Sequence, residues 1–98
     1  MGRLQPPTEL RMTGNVAENW RRFKQQFEIY KIASGLHEKD ENFQAMTIMH
    51  VVRAEALEVY NAFQWDNEDD KIDIEEIMAK FERYCNSCKN ITFERHLN

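Results

Sequence analysis

Cys85-x-x-Cys88 followed by His96 is the stretch of this chain that most invites chemistry, because thiolates and imidazole at close spacing are metal ligands. A closed structural zinc site wants four ligands. A knuckle of the C-x2-C-x4-H-x4-C kind would place its histidine three residues nearer, and no fourth ligand follows. Cys85 also falls on the apolar stripe of a predicted helix, where a thiol packs as a small hydrophobe. Redox use of the pair would need a βαβ context that the sequence lacks. The three histidines, His37, His50 and His96, stand apart from any candidate nucleophile. His50 shares a face with Phe43 and Met46 and is expected half-buried. The acidic run Asp66 to Asp70 lacks the glycine and the closing glutamate of a calcium loop. With three glycines in the chain there is no glycine-rich phosphate loop. The expectation is a protein that is no enzyme, with no metal and no cofactor.

The elements that hold these residues follow from composition and periodicity. Ninety-eight residues make one domain, which buries roughly 65% of the surface its unfolded chain exposes. Hydrophobic residues at 42% and charged ones at 31% are globular proportions. Five glycines and prolines together are too few for the frequent turns of a sandwich or barrel. Two cysteines build no disulfide framework. No run approaches 18 apolar residues, so no membrane span is expected, and the N-terminus lacks a signal-peptide core. An intracellular, cytoplasmic location follows as an expectation.

Residues 1–14, with Pro6-Pro7, are predicted as an extended arm. Leu4, Leu10 and Met12 could dock it on a helical lobe spanning 15–98. Asn15 caps the first helix with Glu18 three residues on, and Gly35 ends it in a left-handed cap. At about 100° per residue, Val16, Trp20, Phe23, Phe27 and Tyr30 share a narrow arc. The opposite face carries Glu18, Arg22 and Gln25, with Ile29 and Ile32 as a second packing face or a partner surface. A second helix runs from Asp40 to about Val52, apolar on every side and so expected to be buried. A third covers Ala54 to Phe63. After a solvated acidic loop, Gln64 to Lys71, a fourth begins near Asp73 with Ile74, Ile77, Met78, Phe81, Tyr84 and Cys85 in one stripe. Thr92 caps a fifth. The fold class is thus all-α, a compact bundle of four to five helices, with Trp20, Phe23, Phe27, Tyr30, Tyr60 and Phe81 organising the core.

Thirteen basic against seventeen acidic side chains, net −4, disfavour a general phosphate-binding surface and direct contact with nucleic acid. Their distribution is uneven. Residues 1–36 hold six basic and three acidic side chains, +3, whereas 37–98 hold seven and fourteen, −7. Copies meeting head to tail would set one sign against the other.

Gly14-Asn15-x-x-Glu18-Asn19-Trp20-Arg21-x-Phe23-Lys24-x-x-Phe27-x-x-Tyr30 resembles the opening of the capsid region of Gag from gypsy-type LTR retrotransposons. Arg53-Ala54-Glu55-Ala56-Leu57-Glu58-Val59-Tyr60-Asn61 is similar to that family's G-x-E-A-L-x-x-Y segment. Phe81-x-x-Tyr84-Cys85 with Asn90-x-Thr92-x-Glu94-Arg95 resembles its close. The ordered set covers about Pro6 to Leu97. The resemblance implies a retroviral capsid N-terminal lobe, of the type kept in domesticated Gag proteins such as the neuronal Arc family, which assembles with copies of itself. Arg53 stands where the family often has glycine, which predicts a more continuous junction between the second and third helices. The chain is expected to stop before the family's C-terminal lobe and any zinc knuckle.

Self-association is therefore expected on the first helix, through Arg21, Arg22, Gln25, Ile29 and Ile32. The alternative is an adaptor whose interhelical groove takes extended peptide ligands, with the arm in that groove in cis or in a neighbouring copy. Chelator treatment should leave the helical circular dichroism and the melting curve unchanged, because a structural zinc would carry folding energy. Stoichiometric zinc in the purified protein would contradict this.

Overall fold

The computed structural model describes residues 5–87, in the order α1 (Val16–Ala33), a 3-10 turn (Leu36–Glu38), α2 (Glu41–Ala62), a second 3-10 turn (Glu68–Ile72) and α3 (Ile74–Ser87). Each start has a local cause. The Asn15 side chain accepts the Glu18 N–H at 3.2 Å, and Asp40 accepts that of Phe43 at 2.8 Å. Asp73 takes the Glu75 N–H at 3.0 Å. Gly35 turns the chain after α1 with φ +81°, a conformation glycine adopts without strain. The expected acidic loop is partly ordered into the second 3-10 turn by the Asn67 side chain, which accepts from Asp69 N–H.

The junction at Arg53 differs from expectation. Instead of continuing the helix, Arg53 has φ 73° and ψ −169°, a region almost confined to glycine, and is the one non-glycine residue with positive φ among the described residues. α2 is therefore two limbs, 41–52 and 54–62, which correspond to the expected second and third helices. Counted as uninterrupted segments of the chain, the described residues hold three α-helices rather than four or five, because the limbs abut with no intervening loop. The expected fifth helix lies outside the described residues, as do Cys88 and His96.

The core forms where α1, both limbs of α2 and α3 meet. Trp20 stacks on Phe81 at 5.6 Å and on Phe23 at 5.9 Å, and Phe23 on Phe27 at 6.0 Å. Phe63, at the end of the second limb, meets Phe81 edge-on at 5.1 Å. Trp20, Phe23, Phe27 and Phe81 are buried, joined by Ile48, Val52, Ile77 and Cys85. Truncating one such aromatic to alanine typically costs about 3–5 kcal/mol. Tyr30 and Tyr60 are instead half-buried at the margin of the core. The Tyr60 hydroxyl donates to the Lys71 carbonyl and so stays near the surface. Tyr84 also leaves the expected stripe and is 41% exposed.

The arm is an integral layer. Leu10 is 1% exposed within the core, and Pro7 is buried. The Leu10 N–H donates to the Val52 carbonyl at 3.2 Å, an acceptor that an unbroken helix would have given to residue 56. The strained turn at Arg53 costs about 1–3 kcal/mol. Arg53→Gly should relieve it at an entropic cost of about 0.5–1 kcal/mol. We expect a melting temperature several degrees higher, and no such rise for Arg53→Ala, whose Cβ keeps the strain.

Candidate functional site

Residues on the solvent side of α1 recur at Glu18, Arg21/Arg22, Gln25 and Ile29/Ile32, three or four apart, and so form one stripe. Its first half is charged, with two arginines sharing one carboxylate and one positive charge left over. Glu18 Oε2 lies 2.6 Å from Arg21 Nη2 and 3.1 Å from Arg22 Nε. Hydrogen bonds from Arg21, then Arg22, hold the Glu18 carboxyl below its ordinary range. Gln25 is exposed. The second half is apolar and bare, Ile29 being 62% and Ile32 60% exposed.

The other cations of α1 are also engaged within the chain. Lys24 pairs with Glu82 at 3.2 Å and Lys31 with Glu28 at 3.8 Å. Of these pairs, Lys24–Glu82 sets part of the +3 surplus of the first 36 residues against the acidic remainder, whereas the others match charges already counted within it, and the isoleucine pair is the most distinctive feature left on the stripe. All five expected residues lie on one face, but the two arginines converge on Glu18 rather than standing as open charges.

A second apolar face was missed. The first limb of α2 shows Phe43 at 52% and Met46 at 51% exposure, with His50 exposed beside them. The expectation of a helix buried on all sides and of a half-buried His50 fails here, because no element among the described residues covers this face while Ala45, Ile48 and Val52 bury the opposite one. The spacing 43, 46/47, 50 was the signal. Between these side chains, Asp40, Asn42 and Thr47 complete a shallow hollow of about 370 Å³.

The arm sits in a seat of polar groups. Alternate backbone N–H groups, those of Thr8, Leu10 and Met12, donate to Gln26 Oε1 at 3.0 Å, Val52 O at 3.2 Å and Glu55 Oε1 at 2.8 Å. Asn19 Nδ2 donates to the carbonyls of Arg11 and Thr13, both at 3.0 Å. The period of two is that of an extended strand. Sequence periodicity had no means of finding these acceptors, since they come from separate turns of two helices.

No group of three or more metal-ligand side chains occurs among the described residues, and Cys85 is buried in the core. No helix among them is long and apolar enough to cross a membrane. Compared with protein-family models, with curated proteins and with solved structures, the chain matches none.

Glu82 fastens α3 to α1. Its carboxylate accepts the Trp20 indole N–H at 2.7 Å and pairs with Lys24, while Asn86 donates at 3.2 Å. The indole bond, then the lysine, lower its pKa from 4.5. A carboxyl depressed in the folded state stabilises fully above pH 4.5, and that contribution falls away as pH drops through the folded value. Glu82→Gln should lower the neutral melting temperature by about 4–8 °C, for roughly 1 kcal/mol. It should also flatten the loss of stability as pH falls below about 4.5. Thermal melts across that range would show it, and an unchanged acid slope would remove Glu82 from this role.

Proposed function

We propose that this chain is a structural assembly lobe of the Gag capsid kind, one that contacts other copies of itself and performs no catalysis. The observation that carries the proposal is the isoleucine pair at the end of α1, more than half exposed on a helix whose cations each already contact a carboxylate of the same chain. Exposed ion pairs are worth about 0–1 kcal/mol each, so the contact would be led by apolar area, with Arg21, Arg22 and Gln25 setting its direction. The ordered sequence resemblance to gypsy-type Gag supports the same reading. An intracellular setting belongs to it.

A second reading is an adaptor for extended peptides, and the arm's seat favours it. Its donors and acceptors read backbone rather than side chains, as strand addition does. The two readings separate on concentration. Sedimentation from micromolar to millimolar protein should show a monomer at the low end and reversible association at the high end. Ile29→Asp with Ile32→Asp should abolish that association and leave the melting curve unchanged. A monomer throughout would favour the adaptor.

A further inference from the structure

The two bare apolar faces lie on different helices and differ in shape. Ile29 and Ile32 crown α1 as a ridge, whereas Phe43 and Met46 flank the hollow on the first limb of α2. Resting on the self-association reading, we infer that the ridge of one copy seats in the hollow of the next, giving a head-to-tail contact between unlike faces.

Charge supports this pairing. Residues 38–41 carry Glu38, Lys39, Asp40 and Glu41, three acids to one base and net −2. The charged half of the α1 stripe carries Glu18, Arg21 and Arg22, net +1. Spacing supports it too. Arg22 precedes Ile29 by seven residues, about 10 Å of helix, and Asp40 precedes Met46 by six, about 9 Å. Two helices laid parallel, ridge against hollow, bring Arg22 beside Asp40. One Asp40 oxygen caps Phe43 N–H, and the carboxylate still has acceptor capacity for a guanidinium.

A contact between unlike faces leaves each copy with one of each kind unused at the ends, so the assembly closes into a ring or grows on. A like-with-like contact would close at two copies. The faces are small, well short of the roughly 1,200 Å² buried in stable complexes, so one contact is weak and repetition strengthens it.

Two variants test the pairing, each with one face intact: Ile29→Asp with Ile32→Asp, and Phe43→Asp with Met46→Asp. At a concentration where the parent associates, each alone should sediment as a monomer, its apparent Kd raised about tenfold or more. An equimolar mixture should form a one-to-one pair and nothing larger. A variant that dimerises alone, or a mixture that stays monomeric, would overturn the head-to-tail contact while leaving self-association standing. A parent that stays monomeric to millimolar would overturn both. All four positions are exposed, and if an aspartate variant melts below the parent, the serine pair at the same positions gives the same readouts.

Discussion

The backbone at Arg53 is the constraint on which the rest of this lobe depends. Its left-handed φ sends the second limb of α2 off the axis of the first, and that limb then carries Phe63 to the ring of Phe81. The same break withdraws the Val52 carbonyl from the helical ladder and leaves it to the arm. One strained residue thus provides a face for α3 and an acceptor for Leu10. Its cost, about 1–3 kcal/mol, is small beside the burial of the aromatic stack and of Leu10 that the turn makes possible.

What was legible in the sequence is what periodicity and capping encode. Asn15, Asp40 and Asp73 marked helix starts because a side-chain oxygen one turn ahead of orphan N–H groups is a local fact. The arc of Trp20, Phe23 and Phe27 was legible for the same reason. Arg53 was misread because a single arginine with good helix propensity conceals a turn that tertiary packing imposes. Phe43 and Met46 were misread because periodicity reports how many faces are apolar, and only the count of available neighbours decides which stay bare. The arm's seat lay beyond reach: Gln26, Glu55 and Asn19 are ordinary surface residues until the chain is folded. An arginine where the resembled family often has glycine was read as making the junction more continuous, and the structure instead breaks the helix there with the arginine itself in the left-handed region.

Charge asymmetry is a weaker guide than it looked. Counted along the chain, the first third is basic and the rest acidic. Counted in space, Lys24 meets Glu82 across the α1–α3 interface, and Arg11 lies 3.9 Å from Glu55 between the arm and α2. Part of the asymmetry therefore joins the arm and α1 to α2 and α3 within one copy. The charge left over, at Arg21 and Arg22 with their shared Glu18, is modest and short-ranged at physiological salt.

If the chain assembles as proposed, that remainder would suit it better than a strong patch. Strongly complementary faces bind at first encounter and hold misplaced copies as firmly as correct ones. In the inferred contact, a ridge of two isoleucines against a hollow rimmed by one carboxylate would give little until a copy were held by more than one neighbour, so misplaced copies would leave. The arm bears on the same balance. Were Leu10 to leave the core, its apolar surface and the orphaned Val52 carbonyl would both be exposed, inviting strand-like pairing with any extended chain. Seated in cis, the arm withholds that second kind of contact and leaves Ile29, Ile32, Phe43 and Met46 as exposed apolar side chains, the ones the inferred contact between copies would use.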